Sequence, residues 1–68
     1  MKVESEAISD IDYDAPRRKL FIRFRGGARY LYVDVPAAVY KAFLQAASKG
    51  AFFRDQILDR YPYNRLTY

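Results

Sequence analysis

A change of hydrophobic period at a proline constrains this chain more than any other feature. Residues 29–35 alternate as a β-strand does, and Pro36 follows them. Residues 37–49 have the apolar spacing of a helix. Pro36 suits the first position of that helix, where the backbone N–H that proline lacks is not needed. The switch therefore predicts strands before Pro36 and helices after it.

Three strands are predicted, at residues 7–14, 19–24 and 29–35. Pro16 indicates a turn between the first two, because its ring presets the backbone angle of an early turn position. Gly26 and Gly27 indicate a tight hairpin between the second and third, because glycine reaches positive φ without steric cost. Such short connections predict an antiparallel meander with the second strand in the middle.

Two helices are predicted after the strands. The first covers residues 37–49 and ends at Gly50, which is a common residue just past a helix C-terminus. The second covers about residues 51–60 and stops before Pro62. Their expected apolar stripes are Val39, Phe43 and Ala46 or Ala47 on the first, and Phe53, Ile57 and Tyr61 on the second.

The expected fold is α+β: a three-stranded antiparallel β-meander followed by two short α-helices packed on one face. A chain of 68 residues is a single domain. Residues 7–62 form its expected ordered core. The aromatic tail at residues 63–68 has no pattern that assigns a structure.

The first hairpin has one register that separates apolar from charged residues. Closing the chain over residues 15–18 places Asp14 opposite Lys19 and Asp10 opposite Arg23. One face of the sheet is then charged, and the other should pack on the helices. The residues expected on that packed face are Ile11, Tyr13, Leu20, Ile22 and Phe24.

The second hairpin has two possible registers. A two-residue turn at Gly26 and Gly27 places Tyr30 and Tyr32 on the outer face, as an exposed aromatic platform. A three-residue loop, with Gly27 in a left-handed bulge position, turns both tyrosines into the core. Because a slip of one residue exchanges the faces, the sequence leaves these alternatives open.

The residue types argue against catalysis. The chain has no His and no Cys, and its few hydroxyl residues have no candidate base near them in sequence. Asp10, Asp12 and Asp14 resemble the start of a calcium loop, but Ala15 and Phe21 stand where that loop requires Gly and Glu. The sequence predicts no enzyme, no metal site and no cofactor.

No apolar run is long enough to span a bilayer, and the N-terminal residues lack the apolar stretch of a signal peptide. A cytoplasmic protein with no membrane partner is therefore expected. The oligomeric state is left open.

The charge distribution favours an anionic partner, with nucleic acid first and an acidic protein second, and solubility is the alternative explanation. The net charge is +4, but residues 1–14 carry one cation and five carboxylates, whereas residues 15–68 carry eleven cations and three carboxylates. Cations that hold phosphates, beside rings that stack on bases, are typical of single-stranded RNA surfaces. The candidate nucleic-acid-binding residues are Arg18, Lys19, Arg23, Arg25, Arg29, Tyr30 and Tyr32.

The sequence also allows a second function, which is protein–protein interaction or self-association. If the two tyrosines are buried, then Phe21, Leu31 and Val33 form an apolar strip on the outer face. Such a strip favours a protein partner or self-association.

This combination of residues resembles the KTSC domain family, whose members are stand-alone bacterial proteins or occur at the C-terminus of some lysyl-tRNA synthetases. The resemblance implies a stand-alone module with a suggested role in RNA binding and no catalytic residues. The central Tyr-x-Tyr followed by Val-Pro is its most specific part. The residues that carry the whole resemblance are Ile11-Asp12-Tyr13-Asp14, Leu20-x-Ile22-x-Phe24, Gly27, Tyr30-Leu31-Tyr32, Val35-Pro36, Tyr40, Ala47-Ser48-Lys49-Gly50, Phe53, Ile57 and Tyr61.

Overall fold

The computed structural model describes residues 1–67, which form an antiparallel sheet with helices against one face. Tyr68, the last residue of the predicted tail, lies outside the described residues. The strands β1 to β4 are Ile8–Asp14, Lys19–Phe24, Arg29–Tyr32 and Tyr63–Leu66. The helices are α1 (Ala37–Gln45) and α2 (Lys49–Phe52), and α2 continues into a π-helical turn at Phe53–Ile57.

The α+β class and the meander are confirmed, but the sheet has four strands where three were expected. Strand β4 lies in the tail that the sequence left unassigned, and it pairs antiparallel with β3. Four residues are too few for an alternating pattern to be recognised. The strand forms because the free edge of β3 supplies backbone partners for it.

The first hairpin has the predicted register. Asp14 lies opposite Lys19, and Asp10 lies opposite Arg23. The alternation of the pleat therefore places the carboxylates of β1 on the face turned away from the helices. A bulge between Ile8 and Asp10 bends the start of β1 and still leaves Ile8 fully buried.

The second hairpin takes the three-residue alternative. Gly27 has a φ of +99°, and the Phe24 N–H donates to the Ala28 carbonyl. This loop places Tyr32 opposite Leu20 and turns Tyr32 into the core, where only 2% of its surface is exposed. The glycine is required because side chains rarely tolerate this φ.

Helix α1 begins at the predicted residue, but its end and both ends of the second helix differ from those predicted. Helix α1 stops at Gln45 instead of residue 49, because Ser48 begins a new helix by accepting a hydrogen bond from the Ala51 N–H. Gly50 therefore lies in the first turn of α2 and does not end α1. Contrary to expectation, Pro36 does not occupy the first helical position. It lies directly before α1, in extended backbone.

The core lies between one face of the sheet, called the inner face below, and the helices. Helix residues Phe43 and Ile57 are fully buried against strand residues of β1 and β2. The buried residues are Ile8, Ile11, Leu20, Ile22, Tyr32, Val35, Phe43 and Ile57. The Tyr13 hydroxyl donates to the Val35 carbonyl, which ties β1 to the segment that enters α1.

Candidate nucleic-acid interface

The face of the sheet turned away from the helices, called the outer face below, carries most of the charged strand residues. Strand alternation and the observed register assign each residue to this face. Strand β1 contributes carboxylates, β2 and β3 contribute cations with two apolar side chains, and β4 contributes neutral side chains. The outer-face residues are Asp10, Asp12, Asp14, Lys19, Phe21, Arg23, Arg29, Leu31, Asn64 and Leu66.

Two arginines lie directly opposite each other on neighbouring strands of this face. Arg23 of β2 pairs with Arg29 of β3. Like charges in this cross-strand position repel each other, so the arrangement favours an anion between them. A groove of about 380 Å³ passes over the two arginines, and the other outer-face residues that line it are Asp10, Asp12, Phe21 and Leu66.

Two of the three carboxylates that β1 places on the outer face form ion pairs with groups outside β2, whereas Asp10, opposite Arg23, forms none with residues 1–67. The Asp14 carboxylate pairs with the Arg17 guanidinium at 3.1 Å, and the Asp12 carboxylate pairs with the N-terminal ammonium at 2.5 Å. Lys19 lies opposite Asp14, and Arg23 lies opposite Asp10, yet neither cation forms an ion pair with any of residues 1–67. Strand β2 therefore presents two cations that no described carboxylate neutralises by direct contact.

The remaining predicted cations lie at the two ends of β2. Arg18 is the last residue of the first turn, has a φ of +55°, and its carbonyl accepts a hydrogen bond from the Val35 N–H. Arg25 follows β2, and its guanidinium donates to the Ser5 carbonyl. Both side chains are exposed. Together with Lys19 and Arg23 they extend the line of positive charge along the whole strand.

The two predicted tyrosines lie on the inner face, away from these cations. Tyr30 lies opposite Ile22, and Tyr32 lies opposite Leu20. Burial raises the pKa of the Tyr32 hydroxyl to about 12, and nearby Tyr30, Tyr63 and Asp59 add to the increase. The structure thus brings the five predicted cations to one side of the sheet and its ends, and separates both tyrosines from them.

Two outer-face residues were not found from the sequence. Asn64 lies opposite Leu31, and Leu66 lies opposite Arg29, because β4 completes the sheet. Asn64 adds an amide that can donate and accept hydrogen bonds beside the apolar pair of Phe21 and Leu31. Their only signal is the alternation of Tyr63 and Arg65 with Asn64 and Leu66, which is too short to assign.

Metal clusters and membrane-spanning helices are both absent from the part of the chain that the structure describes. Residues 1–67 contain no group of His, Cys, Asp and Glu side chains arranged to hold a metal ion. Within the same residues, every helix is too short or too polar to cross a bilayer.

Comparison with known proteins identifies related sequences and a related structure. The family model described as the KTSC domain matches residues 4–61. A protein from Tsukamurella paurometabola is 42% identical over 59 residues, which are 87% of this chain and 88% of that protein. A lysine–tRNA ligase from Trichormus variabilis is 30% identical over 67 residues, which are 98% of this chain and only 12% of the ligase.

The crystal structure of a KTSC domain protein from Yersinia pestis has the same fold. It superimposes with a TM-score of 0.94 and 35% sequence identity, over 98% of this chain and 94% of that one.

Proposed function

The chain belongs to the KTSC domain family, and from this premise we propose that it is a non-enzymatic module that binds single-stranded RNA on the outer face of its sheet. The observation that carries the proposal is the opposed pair of Arg23 and Arg29, on a face where Asp12 and Asp14 pair with groups outside β2. A phosphate bound on this face would accept charge-assisted hydrogen bonds from arginine side chains such as Arg23.

Phe21 supplies the second element that such an interface needs. Its half-buried ring lies between Lys19 and Arg23 on β2 and opposite Leu31 on β3. When an RNA base stacks on this ring, the backbone phosphates that flank the base come within reach of cations on both sides. Asn64, in the next strand, offers an amide to the edge of the same base.

One relative supports RNA over other polyanions. The lysine–tRNA ligase of Trichormus variabilis contains a segment that matches nearly this whole chain, and its name states that the enzyme acts on a tRNA. A basic module joined to such an enzyme suits an additional RNA contact. In this proposal, Tyr30 and Tyr32 position Arg29 and Leu31 from behind the sheet, and Arg18, Lys19 and Arg25 extend the phosphate path.

A titration of fluorescein-labelled oligouridine at two salt concentrations tests the proposal. With three phosphate contacts, affinity should fall about twentyfold between about 50 mM and about 200 mM salt. Arg23→Gln removes one contact, so it should weaken binding severalfold and flatten the dependence of log affinity on log salt by about 0.7.

Lys41→Gln is the matched control, because it changes the net charge equally at an exposed position of α1. It should leave both the affinity and the salt dependence nearly unchanged. Absence of measurable binding at low salt would refute the proposal, as would equal losses in Arg23→Gln and Lys41→Gln.

One observation favours a second candidate, a protein-interaction surface. Phe21 and Leu31 lie opposite each other on the outer face. Together with Leu66 of β4 they form an apolar strip among the charged side chains of this face. A partner or a second copy held by this strip would bind with little dependence on salt. Sedimentation of the protein at two salt concentrations distinguishes this candidate, since a salt-insensitive dimer without RNA affinity would favour it.

A further inference from the structure

The inner face has an open cavity at its β3–β4 end, opposite the proposed RNA surface. Its volume is about 340 Å³. The side chains at its rim are unusually exposed for their type, with 54% of Tyr63 and 40% of Leu58 accessible. Six large side chains line this space, which we call the aromatic cavity: Phe24, Tyr30, Tyr32, Phe53, Leu58 and Tyr63.

The π-helical turn forms the wall of the aromatic cavity that faces the sheet. The Leu58 N–H donates to the Phe53 carbonyl five residues earlier, at 2.8 Å. This wider turn brings Phe53 and Leu58 to the same side, where both line the cavity.

The rings of the aromatic cavity are inclined to each other and are not parallel. The planes of Tyr32 and Phe53 meet at 75°, and those of Tyr30 and Tyr63 meet at 64°. Even the most nearly parallel neighbours, Tyr32 and Tyr63, are tilted by 31°. The rings therefore offer no pair of parallel faces between which a planar ligand could stack.

The electrostatics of the aromatic cavity favour a positive charge. The faces of aromatic rings carry negative potential and attract cations. One cation already shows this attraction, because the guanidinium carbon of Arg65 lies 6.0 Å from the centroid of the Tyr30 ring. Asp59 does not line the cavity, but its negative charge contributes to the raised pKa of the Tyr32 hydroxyl, and its carboxylate forms no ion pair with any described residue.

Hydrogen-bonding groups of the cavity are also unoccupied by the protein. The hydroxyls of Tyr30, Tyr32 and Tyr63 form no hydrogen bond with another residue of the described chain. The Tyr32 hydroxyl remains accessible although most of this side chain is buried, because no fully buried side-chain oxygen or nitrogen among residues 1–67 lacks a hydrogen-bond partner. A ligand in the cavity can supply those partners.

We propose that the aromatic cavity binds an alkylammonium group on the faces of its tyrosine rings, and that the Asp59 carboxylate adds negative potential from outside the lining. The ligand chemistry is a compact organic cation, either a primary ammonium on an alkyl chain, as in a lysine side chain, or an N-methylated one. The site lies on the face opposite the RNA surface and does not depend on the function proposed for that surface.

Choline and 3,3-dimethylbutan-1-ol form a matched pair of probes, because the alcohol replaces the cationic nitrogen with a neutral carbon of the same shape. Binding is followed by NMR shifts of the Leu58 methyl groups and the backbone amides of Tyr32 and Tyr63. Choline should bind about tenfold more tightly than the alcohol, since only choline gains the cation–π attraction. Butylammonium, tested in parallel, distinguishes a primary ammonium ligand from an N-methylated one by which cation binds more tightly.

Two variants locate the attraction. Asp59→Asn should weaken choline binding severalfold and leave the alcohol unaffected, and asparagine tolerates the φ of +63° at this position. Tyr63→Leu should weaken choline in the same way, because it keeps the apolar volume and removes a ring face. Asp55→Asn is the control, because its carboxylate pairs with Arg54 and should not affect the probes.

Equal affinities for choline and the alcohol would reduce the site to an apolar cavity and overturn the proposal. So would the absence of shifts with any probe at tens of millimolar. RNA titrations of the same variants keep the two proposals separate, because neither Asp59→Asn nor Tyr63→Leu alters the outer face.

Discussion

The two faces of one sheet differ in what their residues do. On the inner face, Leu20, Ile22 and Tyr32 are almost completely buried. On the outer face, the Asp14 and Arg17 side chains of an ion pair expose 29% and 71% of their surface. The same strands therefore carry the stability of the domain on one side and a charged, more exposed surface on the other.

This difference has an energetic reason. Burial of a large apolar side chain stabilises a fold by about 1.5–3 kcal/mol, whereas an exposed ion pair contributes about 0–1 kcal/mol. Outer-face residues of β2 and β3 can therefore be changed at little cost to folding. Three predictions test this separation of the faces.

Truncation of Tyr32 should have the largest effect. Tyr32→Ala should lower the free energy of unfolding by about 3–5 kcal/mol, because it leaves a cavity in a small core. Phe21→Ala removes an aromatic ring from the outer face of the neighbouring strand and should cost less than half as much. Urea unfolding measures both.

If Tyr32→Ala does not fold, Tyr32→Phe supplies the comparison. It removes only a hydroxyl that has no hydrogen-bond partner among the described residues, so its stability should be close to that of the parent. Equal losses in Tyr32→Ala and Phe21→Ala would show that the two faces do not differ as described.

A change at Gly27 should have an intermediate effect, because this residue sets which side chains each face receives. Gly27→Ala should cost about 1–2 kcal/mol, since alanine is strained at a φ of +99°. Gly26→Ala is the matched control, because an added methyl group meets no atom within 4 Å and the φ is not positive. Thermal unfolding should separate the two variants, and identical melting temperatures would contradict the role given to Gly27.

Loss of the outer-face ion pair should have the smallest effect. Arg17→Gln should change the free energy of unfolding by less than about 1 kcal/mol, because both partners contact water. Lys41→Gln removes the same charge without breaking an ion pair and serves as the reference. A loss well above 1 kcal/mol in Arg17→Gln would mean that the outer face also stabilises the fold.

Agreement between sequence and structure was greatest where local and long-range signals coincided. In the first hairpin, the turn at Pro16 and the separation of apolar from charged residues require the same register, and that register is observed. In the second hairpin, two glycines permit two loops of different length. Only packing against the helices selects between them, because the other register would expose Tyr32 and bury Leu31.

The sequence predicted the cations of the candidate site but not the position of its tyrosines. Lys19, Arg23 and Arg29 reach one face because period-two alternation is a local property of strands. The sequence also predicts Tyr30 and Tyr32 for this site, but the observed register places both on the inner face. The boundary of α1 was wrong because the apolar spacing continues past Gln45, while Ser48 competes by capping a new helix.

By itself, the amino-acid order determined the α+β class, the meander, the first register and the excess of positive charge after residue 14. Each follows from spacing or composition within a few residues. Only the tertiary structure decided that Gly27 turns Tyr30 and Tyr32 inward, that residues 63–66 complete the sheet, and which groups pair with the carboxylates of β1. These outcomes depend on contacts between segments distant along the chain, where burial and backbone pairing outweigh weak local preferences.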